Sequence, residues 1–334
     1  MPTRRPGSRA IHLAGLALLS AVSLLAGVWL GAVDLSLGEV WRALLGEGDA
    51  TAVTIVRQLR VPRAVQAALC GAALAASGAT FQALLRNPLA EPYILGVSSG
   101  AAVGAVLAVV TGWAALAGWI VPAAAFAGAV IAVALVLRIA LGVGRALDSR
   151  VLLLAGVVVG AFFNSAILLL LTFSDIESFR SAIFWMMGSH AGATWRSVGV
   201  LALYLGPALA ALLALARPLN LMAVGEQTAA YLGTDVERTK RIAFGLASLL
   251  AAAAVAVSGV IGFVGLIVPH VVRLIWGSDH RFLLPAATLL GASFLVLADV
   301  IARTAAAPTE LPIGVVTAFI GVPFFIWLLR RRGA

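Results

Sequence analysis

The sequence predicts an all-α integral membrane protein of ten transmembrane helices, and three observations carry that expectation. Hydrophobic residues make up 62% of the 334 and charged residues 11%, with a mean hydropathy of +1.07, against roughly 45–50% and 25% in soluble domains. Ten apolar runs, nine of them near the length that crosses a hydrocarbon core of about 30 Å, follow one another along the chain. Thirty-four glycines, one cysteine and no long polar stretch leave no room for a sizeable soluble domain, a disulfide framework or a cysteine-based zinc site.

The runs cover 11–33, 65–85, 94–111, 113–137, 151–173, 198–216, 242–257, 265–276, 282–298 and 313–329. The eighth is too short to span as a regular helix. One transmembrane domain over 1–334 is expected, with a cytoplasmic tail at 1–10, a cytoplasmic loop at 217–241 and a second tail at 330–334. The first run follows Arg4, Arg5 and Arg9, yet it is about twice the apolar core of a signal peptide and lacks a small-x-small cleavage site. It reads as a retained span.

Placing both termini in the cytoplasm puts 16 of the 23 Lys and Arg on cytoplasmic segments, among them Arg138, Arg145, Arg150, Arg238, Lys240, Arg241 and Arg330 to Arg332. Those segments then carry +10 and the outer ones −1, which together make the +9 of the whole chain. The positive-inside rule accounts for the pI near 11.2 with no nucleic acid partner. Spans one, four, five, six, seven and ten hold no Asp, Glu, Lys, Arg or His centrally. A proton- or sodium-driven pump needs such groups, so an ion-coupled secondary transporter is the competing class and an external energy source the favoured one. No paired carboxylates, Ser-Lys pair or His-Glu-x-x-His sits mid-span, so no catalytic residue and no cofactor is assigned.

An internal echo links 74–88 with 255–269, each placing Ser-Gly ten residues ahead of Pro after an alanine-rich run. The offset of 181 residues separates an odd number of crossings, which predicts an inverted repeat. Gly71, Ala75 and Gly78 share a face of span two and Gly156 and Gly160 lie four apart in span five, faces that let helices approach closely.

Four stretches are too polar or irregular for simple spans. In the first, Arg86, Asn87, Pro88, Glu91, Pro92, Gly96, Ser98 and Ser99 fall within fifteen residues, and two prolines four apart forbid a continuous helix. Hydroxyls then open the next helix. The second, Gly225-Glu226-Gln227-Thr-Ala229-Ala230-Tyr-Leu232-Gly233, predicts a short polar helix, a glycine break and another helix. From residue chemistry alone it is either a docking element for a soluble partner or an interfacial amphipathic helix. The third carries Gly259, Gly262 and Gly265 at intervals of three, then Pro269 and His270, and predicts a broken stretch at membrane depth. His270 and His280 invite a metal reading that no further ligand at suitable spacing supports. In the fourth, Asp299 and Arg303 are one helical turn apart and placed to pair.

These stretches, in this order, resemble the FecCD-type permease family, the transmembrane subunits of ABC importers for iron-siderophores, haem and cobalamin. Arg-Asn-Pro-Leu-Ala-Glu-Pro with Leu-Gly-Val-Ser-Ser-Gly, and Gly-Phe-Val-Gly-Leu-Ile-Val-Pro-His with Asp-His-Arg, carry the resemblance. It extends from Gln58-Leu-Arg-Val-Pro-Arg63 through Glu310-Leu-Pro-Ile-Gly314 to Gly321-Val-Pro-Phe-Phe325.

The resemblance implies a type II ABC importer permease fold in the bacterial inner membrane. Its implied partners are a second copy of the chain, two cytoplasmic ATPase subunits, a periplasmic or lipid-anchored substrate-binding protein, and membrane lipid. It assigns Gly225 to Gly233 to ATPase coupling, Arg60, Arg63 and Arg303 to binding-protein docking, and Asp148 and Ser149 to an inner gate. Arg180 is a possible substrate contact under the same resemblance. No Gly-x-x-x-x-Gly-Lys-Ser/Thr loop is present, so ATP hydrolysis is expected on a partner. Among substrates, iron chelate ranks first, then cobalamin, then haem.

Overall fold

The computed structural model describes residues 6–143 and 147–332, and every regular element among them is helical. Arg4, Arg5 and Arg145 of the charge count, and the ends of both tails, lie outside the described residues.

Helix α1 (Pro6–Trp29) is packed into the bundle against α14 (His280–Thr304). Ser20 Oγ lies 3.0 Å from Ser293 Oγ and 2.8 Å from the Leu289 carbonyl, a polar contact between two otherwise apolar faces. A short helix that hydropathy does not reveal, α2 (Leu37–Leu45), follows with a capping box between Ser36 and Glu39. Next, α3 (Ala50–Thr54), a π-turn at Ile55–Arg60 and α4 (Val61–Leu84) run together as one helix over Ala50–Leu84. Pro62 cannot donate to Gln58, and the preceding turn widens so that Val61 N–H reaches Val56 O.

The chain continues through α5 (Val97–Val110), α6 (Ile120–Val143), α7 (Ser149–Thr172), α8 (Ile176–Met186) and α9 (Trp195–Ala214). It then forms α10 (Ala216–Val224), α11 (Glu226–Tyr231), α12 (Val236–Ser258), α13 (Val264–Trp276), α14 and α15 (Ile313–Arg332). Among the described residues seven helices are long and apolar enough to cross a membrane. The shorter apolar helices Val97–Val110, Val264–Trp276 and Ile313–Leu328 fall on the third, eighth and tenth expected spans. The fourth expected span starts seven residues early, because Gly112 in the left-handed region ends α5 and a 3-10 turn at Trp113–Ala115 intervenes. That turn is apolar, so a hydropathy scan does not see it.

Polar residues at the starts of α7, α8, α9, α12 and α14 are N-caps: Asp148, Asp175, Thr194, Asp235 and Asp279 each accept a backbone N–H. Each such cap contributes about 1 kcal/mol.

Helix α4 is the hub, buried almost throughout and packed on α12, α13 and α14. Lipid offers no hydrophobic drive for helix association, so close van der Waals contact must supply it. A Cβ on Gly71 would stand 2.1 Å from the Gly291 carbonyl, and one on Gly78 1.9 Å from that of Gly265. The small-residue face of span two is therefore a packing face. The echo between 74–88 and 255–269 does not extend to the backbone: Gly78 continues a helix, whereas the matching Gly259 breaks one.

Candidate functional site

The broken stretch is built where α12 ends. Gly259 takes φ 69°, ψ −166°, and a Cβ there would lie 2.2 Å from the Trp185 carbonyl, so only glycine fits. Phe263, at φ 69°, turns the chain into α13. Helices α8 and α13, of 11 and 13 residues, are too short at about 1.5 Å per residue to cross the membrane. The end of α8 meets the Gly259 turn and the start of α15. Ser189 N–H donates to Ser258 O at 2.8 Å, Ile313 N–H to Gly188 O at 3.1 Å and Gly314 N–H to Met187 O at 3.1 Å.

Sequence spacing placed the broken stretch over Gly259, Gly262 and Gly265 with Pro269 beyond, and the non-helical residues are 259–263, so the first two glycines fall in the break and the other two residues do not. A Cβ on Gly262 would make only an ordinary contact, with Glu91 Oε1 at 3.6 Å, while Gly265 and Pro269 lie inside α13. Pro269 lacks the N–H that would reach the Gly265 carbonyl. Gln82 Nε2 donates to that carbonyl at 3.1 Å and to Ala90 O at 3.1 Å. No sequence signal had singled out Gln82.

The Arg86 to Gly100 stretch wraps this break. Arg86 is left-handed at φ 47°, Asn87 Oδ1 accepts Leu89 N–H at 2.9 Å, and Pro88 lies between them. Pro92 opens a 3-10 turn at Pro92–Leu95, and Gly96 at φ 78° starts α5. Glu91 Oε1 accepts the Phe263 N–H at 2.7 Å, and Tyr93 Oη accepts that of Ile261 at 3.3 Å. Ser98 and Ser99 do not cap α5 as expected: its N-cap is Gly96, and Ser99 Oγ donates to Gly96 O at 3.1 Å. Both face a cavity.

Two chambers flank the junction, of about 550 and 590 Å³. Tyr93, Ser98, Ser99 and Asn164 give the first its polar groups, and Met187, Phe263 and Phe319 line the second. Met186 and Val260 border both, and neither lining contains Asp, Glu, Lys, Arg or His. Arg180, expected at substrate, lines neither; it is exposed on α8 with its guanidinium 5.6 Å from the Phe184 ring centre. His270 is buried within α13, and His280 Nδ1 lies 2.7 Å from Asn220 Oδ1. Asn220 also donates to Asp279 at 2.7 Å, and Asp279 pairs with Arg9 at 2.8 Å, tying α10, α14 and α1. Burial pushes the Asp279 carboxyl up, but the bonds from Asn220, the Arg281 N–H and Arg9 hold it below its ordinary value.

The glycine-bounded hairpin forms as expected. Gly225 separates α10 from α11, and Gly233, at φ 80°, leads through the Asp235 cap into α12. Gln227, Ala230, Tyr231 and Leu232 are exposed, whereas Ala229 is buried under the hairpin. Lys240, buried, reaches from α12 to Glu226 at 2.6 Å and to the Leu147 carbonyl at 2.7 Å. Glu226 also faces Arg86 at 3.6 Å. Beside them Asp148 caps α7, its carboxyl held low by the N–H groups of Arg150 and Val151. Ser149 Oγ donates to Leu84 O at 3.0 Å. The hairpin, α7 and the Arg86 stretch thus share one cluster centred on Lys240, which the sequence showed only as a positive charge.

At the opposite end the three arginines expected on a free surface are engaged within the chain. Arg60 is 5% exposed and caps the end of α1, donating to Val28 O at 3.3 Å, Trp29 O at 2.6 Å and Val33 O. Arg303, 4% exposed, donates to Gly27 O and pairs with Asp299 at 3.5 Å. Arg63 meets Asp299 at 3.0 Å and clasps Glu310 with two parallel bonds of 2.8 and 2.9 Å. A run of polar residues is legible in sequence, but not which of them are used up inside the fold.

Broken helices, two chambers with uncharged linings and a cluster that ties a surface hairpin to the bundle are the features of a helical membrane protein built around irregular segments. The FecCD transport family matches residues 18–331, and the chain belongs to that family; it is an ABC importer permease. The cobalamin import system permease protein BtuC of Halobacterium salinarum is 48% identical over 282 residues, covering 84% of this chain and 75% of that protein. The vitamin B12 import system permease protein BtuC of Escherichia coli is 42% identical over 318 residues, covering 95% and 94%. A solved structure of an ABC transporter assigned to the metal-chelate type, in an inward-facing conformation, superposes with a TM-score of 0.86 at 32% identity, covering 96% of this chain and 98% of that one.

Proposed function

We propose that this chain is the permease subunit of a cobalamin importer. The observation that carries the reading is the identity of 48% and 42%, over most of the chain, to permeases named for cobalamin and vitamin B12. The iron chelate ranked first from sequence moves to second place. Chamber chemistry supports the change: an anionic ferric chelate would meet no cation in either lining, and a desolvated unpaired charge is costly. A corrinoid with neutral amide arms finds Ser98, Ser99 and Asn164 for those arms and Met186, Met187 and Phe319 for its apolar surface.

The subunit works as a homodimer in the cell membrane, both termini cytoplasmic, with two ATPase subunits on the α10–α11 hairpin and a binding protein at the opposite end. Of the three arginines there, only Arg63 has an exposed partner, Glu310 at 40%. Docking through it exchanges one carboxylate for another.

The test is uptake in cells lacking their own corrinoid permease and supplied with this chain, its ATPase and its binding protein. Labelled cyanocobalamin should accumulate, and Asn164→Asp should reduce its uptake. Accumulation of a ferric siderophore without cyanocobalamin would reverse the assignment.

A further inference from the structure

A third cavity, of about 600 Å³, opens at the binding-protein end between α6, α9 and α12, and shares no residue with the two central chambers. Its floor is Phe126 and Tyr204, whose rings stack at 5.5 Å between centroids and 28° between planes. Ala256 of α12 forms the inner wall and Val200 of α9 the outer one. Arg196 and Trp119 stand at the mouth, both exposed. No acidic residue lines the cavity, and Arg196 makes no ion pair with any described residue. From Arg196 to Tyr204 the cleft follows α9 for eight residues, about 12 Å of helix axis.

We propose that this cleft holds one acyl chain of an anionic phospholipid whose phosphate rests on Arg196. Trp113, Trp119 and Trp195 are all about half exposed at this end of the molecule, and exposed tryptophans mark the headgroup level of a bilayer. An unpaired arginine at that level meets phosphate oxygens, with which its planar fork makes two parallel bonds. Below it the lining is dominated by apolar atoms of Phe126, Val200 and Ala256. In a bilayer such a space is filled by the hydrocarbon of the same lipid. Free phosphate shares the arginine chemistry and makes no use of the cleft, which separates the two sources.

The test is native mass spectrometry of the purified full-length chain in detergent, titrated with phosphatidylglycerol, phosphatidylcholine or inorganic phosphate. Phosphatidylglycerol should be retained about tenfold more than phosphatidylcholine, and Arg196→Gln should erase that preference. Val200→Trp, at an exposed position that leaves the buried packing alone, should fill the cleft and lower retention of both lipids. Arg57→Gln removes another exposed arginine of the same end, outside the cleft, and should change nothing. Equal retention of the two lipids by the unaltered chain overturns the proposal, as does unaltered preference in Arg196→Gln. Loss of preference in Arg57→Gln, or displacement of the lipid by millimolar phosphate, does the same.

Discussion

Replacing Asp299 with Asn removes the carboxylate that buried Arg303 and half-buried Arg63 share. Asp299 is 1% exposed; Arg63 Nε reaches both of its oxygens at 3.1 Å, and Arg303 Nε stands 3.5 Å away as an ion pair without a hydrogen bond. Removing one member of a buried pair costs about 3–5 kcal/mol, because the other charge stays buried and uncompensated. Arg63 retains Glu310, so the loss falls chiefly on Arg303, whose remaining partner is the Gly27 carbonyl. That places the cost near the lower bound, about 3 kcal/mol. Glu310→Gln breaks a pair whose acid is 40% exposed, and such pairs contribute about 1 kcal/mol or less. Equilibrium unfolding of the purified chain in mixed micelles titrated with dodecyl sulfate, followed by tryptophan fluorescence, measures both. Asp299→Asn with Arg303→Met should recover part of the loss, since the stranded charge is then gone. A loss below about 1 kcal/mol for Asp299→Asn, or an equal loss for Glu310→Gln, would refute the account of Asp299 as the shared structural anion.

Gly259→Ala should cost about 2 kcal/mol or more, from the left-handed backbone and the contact with the Trp185 carbonyl, whereas Gly262→Ala should cost under about 1 kcal/mol; the thermal midpoints of the two purified variants decide. Lys240→Met should leave the chain inserted and helical but uncouple the hairpin, read as a severalfold loss of ATPase stimulation in the reconstituted importer, while Ala230→Arg on the exposed face should block co-purification of the ATPase outright. Glu91→Gln keeps an oxygen for the Phe263 N–H and should retain uptake, whereas Glu91→Ala should lose stability by about 1–3 kcal/mol; loss of uptake in a stable Glu91→Gln would make the carboxylate a proton carrier.

Much of the fold was legible because lipid imposes a length and a composition on each span, and because glycine breaks such as Gly225 and Gly233 leave a local mark. Helix α2 went unread because its nine residues are too short to register as a span, although Leu37, Val40, Trp41, Leu44 and Leu45 recur at helical spacing behind a Ser36–Glu39 cap. The break before α13 was legible from Gly259 and Gly262, but its far end was not: the chain turns into α13 at Phe263 rather than at Gly265, and nothing local marks a phenylalanine as left-handed. At the site, motif residues were found as a group while their jobs were not. Arg60 looks like a surface cation in sequence because the carbonyls it caps lie 27 to 32 residues away. Lys240 and Gln82 sit in unremarkable helical sequence, and only the long-range contacts to Leu147 and Gly265 give them their roles.

Two motif regions more than 150 residues apart occur together because each answers polar groups that the other leaves open. Pro269 frees the Gly265 carbonyl, and Gln82 satisfies it. The same amide holds the Ala90 carbonyl, which sets the neighbouring Glu91 under the turn where Phe263 N–H has no helical acceptor. Tyr93 then takes the Ile261 N–H in the same turn. In a medium without water each of these groups, left alone, costs several kcal/mol, so the break and the stretch that wraps it stabilise one another. Glu91 is therefore fixed by a backbone bond at the start of α13. It lines neither chamber, and the chamber linings contain no Asp, Glu, Lys, Arg or His. Uncharged chamber linings fit the proposed reading, in which the driving force enters through a surface element such as the Lys240-anchored hairpin.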